Sequence, residues 1–229
     1  MTDTSNRVSR SPNARQTEVR WQRLRDIWLE LCRSLGIVPS RHFAMWNELV
    51  RRHAEPQRHY HTLTHVEALV STLQRHEESL QSPALVYVAV FFHDAIYDPR
   101  ATDNEEQSAE LATGFLIEAG IEGAFAESVR DLILATAGHM KTAPTGDAAW
   151  FLDTDLQILG ASPEAYDEYA IAIRREYDFV AESDYRSGRS AVLQSFLDAP
   201  NIYRTSAMKE ALEARARANL ARELASLAE

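Results

Sequence analysis

The sequence predicts an all-α, single-domain fold, on three observations. Apolar residues recur at helical spacing through nearly the whole chain, no segment alternates convincingly with period two, and only 8 Gly and 8 Pro punctuate 229 residues. With 45% hydrophobic and 25% charged residues the composition is that of an ordinary globule, which excludes disordered and fibrous classes for most of the length. The expected division is a disordered N-terminal tail over 1–16 and one helical domain over 17–229.

The elements follow in order. From Thr17 to Leu35, residues Trp21, Leu24, Trp28, Leu29, Leu31 and Leu35 share a broad face, and Gly36 stops the helix. A second helix over about Ser40 to His53 ends before Pro56. The third, over Thr64 to Leu80, carries Val66, Leu69, Val70, Leu73 and Leu80 on a stripe, with Thr64 and Glu67 as a capping box. Ala84–Tyr97 is apolar on all sides, the pattern of a central buried helix. Asp103 caps a helix to Ala119, and Ala124–Ala137 and Asp147–Leu159 follow. Ser162-Pro163-Glu164 opens a long helix to about Ala181. Two more run from about Tyr185 to Leu197 and Thr205 to Ala228.

Charge and cysteine usage narrow the function. With 24 Lys+Arg against 34 Asp+Glu, the net charge is −10, which disfavours a polymeric nucleic acid as partner. The longest apolar run, Ala84–Phe92, falls well short of the roughly 18 residues of a membrane span, and no apolar segment follows the N-terminus as in a secretory signal. A soluble, cytoplasmic protein with no membrane partner is the expectation. Cys32 is the single cysteine, so there is neither an intramolecular disulfide nor a multi-cysteine metal site, and it reads as a small buried hydrophobe in a reducing compartment. Six of the eight histidines (His53, His59, His61, His65, His76, His93) fall in one stretch.

Acidic and imidazole groups interrupt apolar segments at three places. In Tyr60-His61-Thr62-Leu63-Thr64-His65 the spacing of four brings both imidazoles together. His93-Asp94 follows the apolar run Val86–Phe92, where an uncompensated charge would cost on the order of several kcal/mol and so needs a strong partner. Asp153-Thr154-Asp155 lies between Trp150-Phe151-Leu152 and Leu156. A divalent metal is such a partner, and the imidazole and carboxylate donors suit Mn, Fe, Zn or Mg.

This ordered set resembles the HD superfamily of metal-dependent phosphohydrolases, which are all-α. More narrowly, the Tyr60–His65 segment, Phe92-His93-Asp94-Ala95-Ile96-Tyr97-Asp98, Asn104-Glu105-Glu106-Gln107-Ser108-Ala109 and Leu152–Gly160 look like the signatures of a group of predicted HD phosphohydrolases. Ile173-Arg174-Arg175-Glu176-Tyr177, Gly188-Arg189 and Ala216-Arg217-Ala218-Asn219-Leu220 extend the likeness over roughly residues 17 to 228. The resemblance implies that His65, His93, Asp94 and one of Asp153 and Asp155 bind metal. Asp155 is favoured because Thr154-Asp155-Leu156 is similar to the last ligand segment of cyclic nucleotide phosphodiesterases, distant HD relatives. In those enzymes a Tyr-His…His arrangement like Tyr60-His61…His65 supplies a leaving-group acid and then a ligand, so His61 would be the general acid. Metal-activated water would then attack phosphorus, with Asp94 in the catalytic set and a small phosphorylated compound, such as a nucleotide, as substrate.

The remaining candidates are secondary. Asp153 would orient a ligand, and His139, Glu105 and Glu106 are the candidates for a second metal. Glu105 and Glu106 equally suit a helix N-terminus, and His139 a helix C-terminus. Arg174 and Arg175, with Arg189, could hold phosphate, although helix arginines are more often solvated. His42, His53, His59 and His76 read as surface residues, and Trp21, Trp28, Trp46 and Trp150 as core or interface. A non-catalytic ligand-binding or partner-binding HD protein is the alternative, and oxygenation at a diiron centre would need further ligands. The sequence leaves oligomeric state open, a homodimer included.

Overall fold

Pro39, Pro83 and Pro163 each stand in the first turn of a helix, where a missing N–H breaks no hydrogen bond, and Gly36 and Gly120 take positive φ just past helix ends. These residues mark the starts of three helices and the ends of two. The computed structural model describes residues 12–138 and 144–228. Among them run ten α-helices and no strand: α1 (Pro12–Ser34), α2 (Pro39–Arg52), α3 (Leu63–Arg75), α4 (Pro83–Phe92), α5 (Asn104–Glu118), α6 (Gly123–Thr136), α7 (Gly146–Asp155), α8 (Pro163–Glu176), α9 (Glu182–Asp198) and α10 (Ser206–Leu227). The fold is all-α, and among the described residues no helix is long and apolar enough to cross a membrane.

Helix α4 is the axis of the first half. Every residue from Val86 to Phe92 is buried, and α1, α3, α5, α6 and α7 pack around it, which is why its sequence shows no polar face. Trp28 of α1 meets Phe91 and Phe92 edge-on at centroid separations of 5.1 and 5.9 Å. In the second half, α10 lies on the 3₁₀ turn Leu156–Gly160 that continues α7. Asn219 donates to the carbonyls of Leu159 and Ala161, Arg215 to that of Gly160, and the Tyr203 hydroxyl to that of Leu156. A Cβ at Gly160 would lie 2.6 Å from the Leu212 Cβ and 2.9 Å from its carbonyl oxygen, so glycine alone permits this approach.

Several expectations need correction. Helix α1 begins at Pro12, inside the stretch expected to be tail, and residues 1–11 lie outside the described residues. Thr62 rather than Thr64 caps α3, accepting from the Thr64 N–H, and α3 ends at Arg75 with a separate 3₁₀ turn at Glu77–Ser79. The apolar run stops being helical at Phe92 rather than Tyr97, and α8 stops at Glu176 rather than Ala181. His42 and His53 are buried, not superficial, whereas Trp21 is 37% exposed. Cys32 is buried as expected, and that burial pushes its thiol up to about 12.

The close contact at Gly160 makes a direct prediction. Gly160→Ala should lower the denaturant midpoint by an overpacking penalty of about 1–3 kcal/mol, because the Cβ and backbone of Leu212, rather than the far end of a flexible side chain, block the new methyl group. An unchanged midpoint would show that α10 can move aside freely.

Candidate metal centre

The turn that ends α4 places His93 and Asp94 side by side, and the first turn of α3 delivers His65 opposite them. His93 is locked by its own helix, since its Nδ1 lies 2.9 Å from the Val90 carbonyl oxygen. With Nδ1 as the donor in that bond, Nε2 is the nitrogen directed at the site, and against the opposing effect of burial the Asp94 and Asp155 carboxylates raise the pKa of the ring. That Nε2 is 3.2 Å from His65 Nε2 and 3.0 Å from Asp94 Oδ2, while His65 Nε2 is 3.0 Å from Asp155 Oδ1 and 3.7 Å from Asp94 Oδ2. Ligands held at about 2.1 Å from one cation stand roughly 3.0–3.4 Å apart. The ligand atoms of His65, His93 and Asp155 all lie within 4.8 Å of one another, so this group could hold a metal ion. Asp94 flanks it against both imidazoles.

The two aspartates of α7 separate cleanly. Residues two apart on a helix point about 200° apart, so only one can face His65. Asp155 does. Asp153 is fully buried on the other side, where its carboxylate accepts from the backbone N–H groups of Arg204 and Thr205 at 2.6–2.9 Å and pairs with the Arg204 guanidinium at 3.6 Å. Asp153 therefore anchors the segment that starts α10 and orients no metal ligand, contrary to the expected role.

His61 stands beside the group rather than in it, with its ring 5.9 Å from that of His65. Its Nδ1 donates to Glu176 Oε2 at 2.6 Å, and Tyr97 lies against the ring at 4.3 Å while donating its hydroxyl to the same oxygen at 2.8 Å. The other oxygen of Glu176 accepts the consecutive N–H groups of His59, Tyr60 and His61 at 2.7–3.0 Å. Burial works against charge on His61, yet the Asp94 and Glu176 carboxylates prevail and raise its pKa. Burial opposes ionisation of Glu176 too, but its bond to His61, the charge of that ring and the backbone donors bring it down to about 2. Asp94, despite burial, is held far below the usual carboxylate range by His93, His61 and His65.

Two residues of this centre escaped the sequence reading as site residues. Glu176 is one. Arg58 is the other: its side chain is fully buried and donates to the carbonyls of His61, Asp94 and Ala95 at 2.6–3.1 Å, tying the His61 loop to the turn that carries Asp94. By contrast, Glu105 and Glu106 lie in the first turn of α5 and are not part of the ligand group, and His139 lies outside the described residues. Arg174 is turned away, bound to Glu182 and the Tyr177 carbonyl beyond the end of α8, and Arg175 is exposed. The expected phosphate-binding pair is thus not brought to the centre.

Two cavities flank it. One of about 150 Å³ is lined by His61, Asp155, Tyr169 and Arg189 with apolar side chains of α9, and another of about 350 Å³ by Tyr60, His65, Gln157 and Tyr169. No family model matches the chain, and neither a curated protein nor a solved structure matches it.

The different duties of the two aspartates can be separated by experiment. Asp155→Asn should lose bound divalent metal with little change in stability. Asp153→Asn should keep the metal but destabilise by about 1–3 kcal/mol through its weakened bonds to Arg204 and Thr205. Metal analysis and denaturation of both variants check this, and the reverse pattern would exchange the two assignments.

Proposed function

We propose that this protein is a metal-dependent phosphohydrolase that cleaves a phosphoester bond of a small phosphorylated compound, with Mn, Mg, Fe or Zn as cofactor. The observation that carries the reading is the convergence of His65, His93, Asp94 and Asp155 at ligand-to-ligand spacing, next to an imidazole whose Nδ1 rests on a buried carboxylate. His65 and His93 would bind through Nε2 and the two aspartates through carboxylate oxygens. A bound divalent cation would supply polarisation of a phosphoryl oxygen and acidification of water.

The chain's own groups do the rest. His61 holds a proton on Nε2 for the departing oxygen, because Nδ1 is committed to Glu176 and the neighbouring carboxylates favour the imidazolium. Glu176 and Tyr97 keep that ring from rotating. Apolar side chains of the 3₁₀ turn and α9 limit water around the smaller cavity. The resemblance to HD phosphohydrolases supports the same assignment of roles.

Purified protein should carry or take up a divalent metal and release phosphate from small phosphoesters when supplied with Mn or Mg. His93→Ala should abolish both. Elemental analysis that finds no metal in a folded protein, and none after incubation, would sink the proposal.

The pH profile tests His61 separately. The alkaline limb of kcat reports loss of its proton. Glu176→Gln removes a charge that favours the imidazolium, so the pKa of His61 falls and the limb moves to lower pH. A limb that stays in place would assign proton donation to another group.

A further inference from the structure

The smaller cavity has a feature that metal binding and proton donation leave unused. Among its described lining residues, Arg189 carries the one permanent positive charge, and it faces a cavity that also opens on His61 and Asp155. Its position in the sequence explains why it is inside. Tyr185 and Leu193, the buried residues of α9, stand one turn before and one turn after it, so Arg189 falls on the buried stripe of its helix.

The guanidinium is held rigidly. Its Nε and Nη2 donate to the two oxygens of Glu223 at 2.8 and 3.0 Å, its Nη1 reaches the Tyr169 hydroxyl at 3.4 Å, and the Tyr166 hydroxyl supports Glu223 from α8. Both partners are nearly buried, with side-chain exposures of 9% and 11%. A buried ion pair is on average no more stabilising than apolar side chains of the same volume, so linking three helices does not by itself account for a charge at this wall. Two of the five N–H groups of an arginine serve Glu223 and one points at Tyr169, which leaves donors for a further acceptor.

We propose that Arg189, assisted by the Tyr169 hydroxyl, is the anion-recognising wall of the substrate cavity and receives an anionic oxygen of the substrate. This deepens the phosphohydrolase reading and rests on it for the word substrate. A planar guanidinium already fixed by Glu223 is suited to bind a phosphoryl or carboxylate group with little further ordering. At about 150 Å³ the cavity admits roughly five water-sized groups, enough for an anionic group and the carbons next to it. The body of a larger substrate would extend past Tyr60 and Tyr169, which line both cavities.

The test measures binding as well as turnover. Arg189→Ala would strand the Glu223 carboxylate, so the informative variants are Arg189→Lys, Tyr169→Phe and the paired change Arg189→Gln with Glu223→Gln, which removes both charges while leaving polar side chains that can bond to each other. Mn-loaded protein is titrated calorimetrically with inorganic phosphate and with 3-phosphoglycerate, with Mn affinity and thermal melting followed alongside. The expected result is a tenfold or greater loss of affinity in the paired variant, a smaller loss in Tyr169→Phe, and unchanged Mn binding. An equal loss for both ligands would place Arg189 on the reacting phosphoryl group, and a loss confined to 3-phosphoglycerate would place it on a second anionic group. With p-nitrophenyl phosphate, the first case predicts a raised KM with kcat largely retained. Unchanged affinity for both ligands, or a wild-type protein that binds neither, would overturn the proposal. Arg189-dependent binding without phosphate release from any ester would leave it standing and remove the hydrolase reading instead.

Discussion

The buried carboxylate of Glu176 is the interaction on which the geometry of the candidate centre depends. A charge with 2% exposure is tolerated only when its lone pairs are filled, and here three consecutive backbone N–H groups, an imidazole and a phenol fill them. All of these donors except the Tyr97 phenol belong to the loop between α2 and α3, so satisfying the carboxylate dictates the path of that loop. Once His59–His61 converge on one oxygen, the ring of His61 has one orientation, and α3 starts where His65 meets His93. Arg58 acts on the same loop with the opposite sign, taking carbonyls where Glu176 takes N–H groups. The loop has no regular structure, yet its polar backbone is pinned from both sides.

The same solution recurs in the second half of the chain, where Asp153 gathers the N–H groups that precede α10 and Arg189 pairs with Glu223 between α9 and α10. Helices α8 to α10 contribute no member of the ligand group. Their part is to hold what α3, α4 and α7 present: Glu176 orients His61, and the contact of α10 with the 3₁₀ turn fixes the end of α7 from which Asp155 projects. A rigid apolar axis, α4, and a polar brace on the far side together confine the ligand atoms to a few ångströms.

The helices and the cluster of imidazoles and carboxylates that could hold a metal were legible in the sequence because both are contrasts against a local background. His93, Asp94 and Asp155 interrupt apolar runs, and an interruption of that kind needs a partner. Glu176, Arg58 and the inward role of Arg189 were hidden because they lie among other charges, where residue type does not say which side chain turns inward. Helical phase does. Glu176 stands three residues after Ile173, on the stripe that begins with Tyr166, whereas Arg174 and Arg175 fall off it. His42 and His53 sit in phase with Trp46 and Leu49, which is why they are buried although histidine is commonly exposed. The helix ends that differed, at Phe92 and Glu176, are places where side-chain and loop hydrogen bonds compete with the helical pattern, and periodicity carries no information about those bonds.

The two imidazoles that matter most differ in what their Nδ1 touches. His93 places Nδ1 against a neutral carbonyl, that of Val90, which fixes the ring, while against the opposing effect of burial the Asp94 and Asp155 carboxylates raise its pKa well above the usual imidazole value. His61 places Nδ1 against a carboxylate, which joins Asp94 in raising its pKa. A cation and a proton donor need opposite protonation states of the same side chain a few ångströms apart, and the nearby Asp94 alone would push both rings toward the charged form. A cation at the cluster would displace the Nε2 proton of His93 while its Nδ1 stayed bonded to Val90, whereas on His61 the Glu176 carboxylate adds to Asp94 in favour of charge.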